Sequence, residues 1–180
     1  MIRTLVVVML AVASSGILGC ENSQRSSRRM SPPRPEATVM KVLRDVNPNR
    51  MTLTVAPKAE DVEGDGQADL IKVSVVMFDE PRPEPVIVPG SFRFEAVPME
   101  GSEVEDLRLQ WEFDSAEARR AEGPTMFGLP GYRFTLDVRR QARDLPPMVV
   151  NIIGHFYPAN GGTPVTCRPD QRLVRLGAAP

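Results

Sequence analysis

The sequence predicts an all-β protein, an antiparallel β-sandwich that follows a short apolar leader and a polar tether. Composition is the first indication, because 18 prolines and 13 glycines among 180 residues favour many short elements over long helices. The second is alternation of apolar and polar residues with period two, which is typical of strands that bury one face. The third is the spacing of these runs, which fall within residues 37–180 and are separated by proline- and glycine-containing turns.

About seven or eight strands are predicted in this domain. Four runs alternate, and the clearest of them contains Trp111 as a predicted core residue: Met51–Val55, Phe92–Ala96, Leu107–Phe113 and Tyr132–Val138. Leu70–Phe78 and Met148–Tyr157 are apolar on both faces, which fits central strands covered on both sides. A last run, Pro164–Leu176, is interrupted by Pro169.

One short helix is predicted among the strands. It covers Ser115–Glu122, with Asp114 or Ser115 as its N-cap and Gly123-Pro124 as its stop signal. Residues 37–46 are ambiguous, since the spacing of their apolar residues also suits a helix.

A six-residue turn points to the same layered architecture. Leu129-Pro130-Gly131-Tyr132-Arg133-Phe134 resembles, with one residue missing, the Leu-Pro-x-Gly-x-Tyr turn of transthyretin-like and carboxypeptidase regulatory-like sandwiches. The Cys…Trp…Cys frame of true immunoglobulin domains does not occur in the chain, so an Ig-like description refers only to layered strands.

Residues 1–19 are predicted to be a signal peptide. Arg3 supplies the positive charge, and the apolar stretch Thr4–Leu18 is too short for a membrane-spanning helix of about 20 residues. Ile17-Leu18-Gly19-Cys20 resembles the lipobox of bacterial lipoproteins. That resemblance implies that Cys20 receives a diacylglyceryl group, that the chain is cut before it and that the new amine is acylated. The alternatives are a plain cleaved signal with a chance cysteine, or an uncleaved anchor.

Cys20 and the segment that follows it, residues 20–36, are predicted to form a lipidated, disordered tether. Glu21–Glu36 is rich in Ser, Arg and Pro and nearly free of apolar side chains, so it cannot bury enough surface to fold. As a coil it would span roughly 20–25 Å on average. The lipoprotein resemblance places the mature chain in the cell envelope outside the cytosol, and Glu21 in place of Asp favours the outer membrane over the inner one.

The most specific internal motif is the acidic loop from Asp61 to Asp69. Its Gly-Asp-Gly-x-x-Asp-Leu-Ile run resembles the calcium loops of FG-GAP and dockerin-type repeats. Calcium needs several converging oxygen ligands and a glycine where the chain reverses. The resemblance implies carboxylate ligands and, from Gln67, a backbone carbonyl: Asp61, Glu63, Asp65, Gln67 and Asp69. The alternative is a solvated acidic turn, because Asp-Gly sequences form turns without metal.

Charge and cysteine content exclude several function classes. The formal charge is −1, and residues 37–180 contain 17 basic and 21 acidic residues, so no nucleic-acid partner is expected. One histidine and two cysteines exclude a Cys/His zinc cluster. If Cys20 is lipidated, Cys167 has no disulfide partner in the chain and is expected to be buried and inert. His155 is expected to be structural, and a catalytic dyad of the two is the alternative.

These observations predict a non-enzymatic envelope lipoprotein whose sandwich serves as a binding or assembly module. Its expected partners are the membrane, through the N-terminal lipid, and an envelope protein or glycan, and no cofactor is required. A calcium-stabilised extracellular adhesion or carbohydrate-binding module is the first alternative. A small surface hydrolase is the second, and it would need an activated Cys167 or a cleft with clustered acids.

Overall fold

The computed structural model describes residues 46–82, 84–102, 104, 106–167 and 172–178. The predicted signal peptide, Cys20 and the tether lie outside these ranges, as does the ambiguous segment 37–46 apart from Val46. The described residues form eleven strands and one helix. In chain order these are β1 Arg50–Val55, β2 Gln67–Ala68, β3 Leu70–Phe78, β4 Pro85–Val86, β5 Gly90–Pro98, β6 Leu109–Phe113, α1 Ser115–Ala121, β7 Glu122–Pro124, β8 Pro130–Asp137, β9 Met148–Pro158, β10 Val165–Thr166 and β11 Leu173–Ala178.

The strands build two antiparallel sheets that pack together, which confirms the predicted β-sandwich. The first sheet has the order β1-β3-β8-β7, with β4 also paired to β3. The second has the order β2-β11-β9-β5-β6, with β10 also paired to β9. One buried apolar cluster draws residues from both sheets.

Alternation in β5 and β8 fills the core with aromatic rings. Phe92 lies 4.9 Å from Phe134 and 4.8 Å from Phe156 between ring centroids, and Phe94 lies 5.1 Å from Phe134. These distances are typical of stabilising aromatic pairs. Trp111 is buried as predicted, and its indole N–H donates to the Asp137 carbonyl at 2.9 Å.

β3 and β9, the two strands predicted to be apolar on both faces, differ in their burial. β3 is buried on both faces from Val73 to Met77, as expected for a central strand. In β9 only the inward face is fully buried; the outward face is half-buried and Tyr157 is exposed. The prediction that β9 is covered on both faces is therefore wrong, because the described part of the chain supplies no third layer over its outward face.

The predicted helix forms with Asp114 as its N-cap. The Asp114 carboxylate accepts from the backbone N–H groups of Ala116 and Glu117 at 2.9 and 2.8 Å, and the Glu117 carboxylate accepts from the Asp114 N–H at 3.0 Å. This reciprocal capping box satisfies N–H groups that the first helical turn leaves free. The helix ends one residue before the predicted Glu122, which begins β7 instead.

The described chain begins at one end of the sandwich, called here the proximal end. β1 starts at Arg50 opposite Phe78, the last residue of β3. In the second sheet, the turn after β9 lies beside the first described residues, since the Asn160 amide donates to the Asn47 side-chain oxygen at 2.9 Å. The turn between β7 and β8, residues 125–129, opens at the same end because the first residues of β8 pair with the second half of β3.

The chain changes sheets at the opposite, distal end. Asp69 separates β2 in the second sheet from β3 in the first. β3 begins there, since Leu70 pairs with Asp137, the last residue of β8. The acidic loop before β2 and the turn after β8 (residues 138–147) therefore lie together at the distal end.

Candidate functional site

An open cleft of about 550 Å³ lies at the distal end between the acidic loop and the turn after β8. It is called here the distal cleft. Its wall carries five carboxylates and three guanidinium groups: Glu63, Asp65, Asp69, Asp137, Asp144, Arg139, Arg140 and Arg143. Four of the five predicted calcium ligands line it, and Asp61 does not.

The Asp61 carboxylate organises the acidic loop from within. Its two oxygens accept from the backbone N–H groups of Gly64 at 2.7 Å and Gly66 at 2.8 Å. Both glycines have positive φ, +72° and +84°, which other residues rarely adopt. These hydrogen bonds, that of Gly66 above all, lower the pKa of Asp61. Its carboxylate therefore organises the turn through hydrogen bonds with the backbone.

Asp69 is buried at the corner where the chain changes sheets. Its backbone carbonyl accepts from the Val138 N–H at 2.9 Å, which fixes the turn after β8 against the corner. One carboxylate oxygen, Oδ2, lies 3.2 Å from Arg139 Nε, while Oδ1 is buried and has no hydrogen-bond partner among the described residues. Burial raises the pKa of Asp69, and the Arg139 charge opposes that rise.

Arg139 is the cation that balances the acidic wall. Its guanidinium forms an ion pair with Glu63 and lies 3.2 Å from carboxylate oxygens of both Asp69 and Asp137. The hydrogen bond to Asp137 raises the pKa of Arg139. Arg139 could not be identified from the sequence, because Glu63 and Arg139 are 76 positions apart. The only local signal is an arginine pair directly after a predicted strand.

The remaining loop residues, Asp65 and Gln67, take part in backbone hydrogen bonding. Asp65 Oδ1 accepts from the Gln67 N–H at 2.9 Å, and Gln67 pairs with Ala178 in the second sheet. Within the described ranges, no group of three or more His, Cys, Asp or Glu side chains is arranged to hold a metal ion. A calcium ion between Glu63 and Asp69 would have to displace the Arg139 guanidinium, so calcium binding stays a prediction.

The structure does not bring Cys167 and His155 together as a dyad. Cys167 is buried, its Sγ accepts from the Gly154 N–H at 3.0 Å, and burial raises the pKa of its thiol. His155 pairs in register with Thr166, and its Nδ1 lies 2.9 Å from Thr166 Oγ1. Because neighbouring strand residues point to opposite faces, the thiol and the imidazole lie on opposite sides of the sheet. A hydrolase would need another nucleophile.

The turn between β7 and β8 exposes a cluster of apolar side chains that the sequence analysis did not single out. Met126, Phe127 and Leu129 are 52%, 73% and 42% exposed. The turn is closed by a hydrogen bond from the Thr125 N–H to the Leu129 carbonyl at 2.8 Å. The sequence signal for this cluster is a set of apolar residues between two turn-forming prolines, Pro124 and Pro130.

No protein-family model, curated protein or solved structure matches this chain. Across the described ranges, no helix combines the length and the apolar character that a membrane crossing requires. The distal cleft and the exposed apolar turn at the opposite end are therefore the features from which function is argued.

Proposed function

We propose that this chain is a lipid-anchored envelope protein whose β-sandwich presents the distal cleft to an envelope protein or glycan. The observation that carries the anchor is the lipobox-like Ile17-Leu18-Gly19-Cys20 directly after a signal-like apolar stretch. Two or more acyl chains hold a protein on a bilayer stably, where one chain binds reversibly. Glu21, which follows the proposed lipidated cysteine, favours the outer membrane over the inner one as the place of anchoring.

The position of the cleft supports a binding role. The chain reaches the sandwich at its proximal end, where β1 begins, and the cleft lies at the distal end. An anchor joined through residues 21–45 would leave that cleft free to meet a partner. Its mixture of carboxylates and guanidinium groups suits polar and charged ligands, and Arg140 extends from it with most of its side chain in solvent.

Replacement of the lipidated cysteine tests the anchor. We expect the Cys20→Ala chain to leave the membrane fraction or to remain uncleaved, because no thioether can form. The Cys167→Ala chain is the matched control and should stay membrane-bound with an acylated N-terminus by mass spectrometry. An unmodified N-terminus in the natural protein, with an unchanged membrane fraction for Cys20→Ala, would contradict the anchor.

Partner capture tests the cleft. The tethered protein would be used as bait in detergent-solubilised envelopes, beside an Arg140→Glu, Arg143→Glu variant and an Arg119→Glu control on α1. We expect one partner or glycan that the cleft variant loses and the control keeps. Equal recovery with all three baits would remove the cleft from the proposal.

Calcium stabilisation is the second candidate, and one feature of the corner favours it. Asp69 is only 7% exposed, lines the cleft and has a carboxylate oxygen to which no described residue donates a hydrogen bond. A buried carboxylate oxygen of this kind is normally satisfied by a donor or a cation. In this proposal the module is an extracellular adhesion or carbohydrate-binding domain that calcium stabilises.

Thermal melts in calcium and in chelator test this candidate. A site with a dissociation constant of about 0.1 mM would add about 1.4 kcal/mol of stability at 1 mM calcium. Asp65→Ala should abolish the gain, while Glu100→Ala, an equal charge change in another exposed turn, should keep it. Identical melts of the unaltered protein in both buffers would exclude a stabilising site.

A further inference from the structure

The exposed apolar turn at the proximal end is unusual for a sandwich surface. Single exposed apolar residues are normal, but here Met126, Phe127 and Leu129 protrude together from five residues. The turn joins β7 to β8, and the described part of the sandwich leaves all three side chains exposed.

Two backbone hydrogen bonds close the turn, and a preformed turn lowers the entropy cost of any contact it makes. The Gly128 N–H donates to the Thr125 carbonyl at 2.9 Å, within the turn that the hydrogen bond from Thr125 to Leu129 closes. At its base, β8 packs so closely on β3 that a Cβ at Gly131 would lie 2.1 Å from the Val75 carbonyl oxygen. The three apolar side chains therefore stand on a preformed support.

The tip lies at the end of the sandwich where the chain arrives from its N-terminus. Twenty-five residues separate Cys20 from Val46, the first described residue. An anchor at Cys20 would hold the proximal end at a high effective concentration beside the bilayer. Even a weak apolar contact would then be populated.

The chain on either side of the tip is basic. From the last turn of α1 to the middle of β8, the sequence contains three arginines and one acid: Arg119, Arg120, Arg133 and Glu122. Of the described acids at the same end, Asp79 and Glu80 are paired with arginines. Glu84, beside β4, is exposed and forms no ion pair with the described residues. Basic residues beside an inserted apolar group are typical of interfacial membrane contacts.

We propose that the turn 125–129 is a membrane-contacting loop that inserts Met126, Phe127 and Leu129 into the interfacial layer of the bilayer. The inference rests on the proposed lipid anchor and deepens it. The anchor supplies attachment and the loop supplies orientation. Together they direct the proximal end towards the lipid and the distal cleft away from it.

Quenching by brominated lipid tests the orientation. The full lipidated chain with Phe127→Trp would be reconstituted in phosphatidylcholine–phosphatidylglycerol vesicles brominated in the acyl chains. Val62→Trp is the matched control, since Val62 is 58% exposed in the distal acidic loop. After subtraction of the Trp111 signal common to both, we expect strong quenching at position 127 and little at position 62. Equal quenching at the two positions would overturn the proposal.

A second arm separates failure of the loop from failure of the anchor. The mature Cys20→Ala chain, residues 20–180, carries neither lipid nor the apolar leader and should bind the same vesicles weakly. Phe127→Asp should reduce this binding about tenfold, the loss expected for one buried aromatic side chain. Val62→Asp should leave the binding unchanged, and equal thermal melts would show that both variants fold.

The outcomes are distinct. Vesicle binding that depends on Phe127, without acylation of natural Cys20, would leave the loop standing and remove the anchor. Acylated protein with position 127 still open to an aqueous quencher would remove the loop alone. Protection of position 127 in native envelopes but not in pure lipid vesicles would overturn the proposal in favour of a protein pocket.

Discussion

The hydroxyl of Tyr132 joins the start of β8 to the segment between β4 and β5, and its removal is a sensitive test of the fold. The hydroxyl accepts from the Val88 N–H at 2.9 Å and donates to the Val88 carbonyl at 2.7 Å. Both residues are fully buried. Tyr132→Phe would leave a backbone donor and a backbone acceptor unsatisfied away from water.

The magnitude follows from those two groups. A buried polar group that loses its partner costs about 1–3 kcal/mol, so Tyr132→Phe is expected to lower the free energy of unfolding by about 3 kcal/mol. In a protein of this size, 1 kcal/mol corresponds to about 2–4 °C, so the melting temperature should fall by about 6–12 °C.

The pH dependence of this loss gives an independent check. Burial raises the pKa of Tyr132 above its ordinary value of 10.0, despite the hydrogen bond from Val88. Above pH 10 the unfolded chain therefore releases a proton that the folded chain retains, and stability falls as pH rises. The Tyr132→Phe variant has no hydroxyl at this position and therefore does not lose stability through this titration. The stability gap between the two proteins should narrow above pH 10, by up to about 1.4 kcal/mol per pH unit.

Urea unfolding at pH 7 and between pH 10 and 11 would measure both effects. Tyr157→Phe is the matched control, because it makes the same chemical change on an exposed side chain and should alter stability little. If Tyr132→Phe were as stable as the unaltered protein at pH 7, or if the gap stayed constant above pH 10, the hydrogen-bonded and buried hydroxyl described here would be wrong.

Two further predictions concern the distal corner and the free thiol. Arg139→Gln should lower the melting temperature more at pH 7 than at pH 4.5. The pKa of Asp69 is raised, so acid neutralises the carboxylate that has lost its arginine partner. A loss that does not depend on pH, or an equal loss in an Asp69→Asn background, would contradict the pairing of Arg139 with Asp69. In the Cys20→Ala chain, Cys167 should resist a thiol reagent until denaturant is added, since it is buried and its pKa is raised. Rapid labelling under native conditions, read by absorbance, would contradict the described burial.

The acidic loop shows how far local sequence reaches into a site. Asp61 and its glycines could be identified because a tight acidic turn is determined by neighbouring residues. The partner of Glu63 and Asp69 could not, because Arg139 follows β8, a strand distant in sequence that only the sheet pairing brings beside β3. The five predicted ligands therefore divide between a backbone-organised turn and an arginine-balanced cleft wall.

The exposed turn and the cysteine show the same division. Gly123-Pro124 was predicted as a helix stop and Leu129–Phe134 as a turn, yet only the tertiary structure shows that Phe127 is exposed. Cys167 and His155 both occupy strand-like runs, and only the pairing of β10 with β9 places them on opposite faces.

The amino-acid sequence by itself determined the all-β class, the main strands and the capped helix, because alternation and capping are relations between residues a few positions apart. It also carries the whole basis for the proposed lipid anchor, because a lipobox is a local sequence signal that needs no fold. The tertiary structure decided the sheet order, the Arg139-centred cleft and the separation of that cleft from the apolar turn. Strand partners are chosen by burial and packing over long sequence distances, and no local pattern encodes that choice.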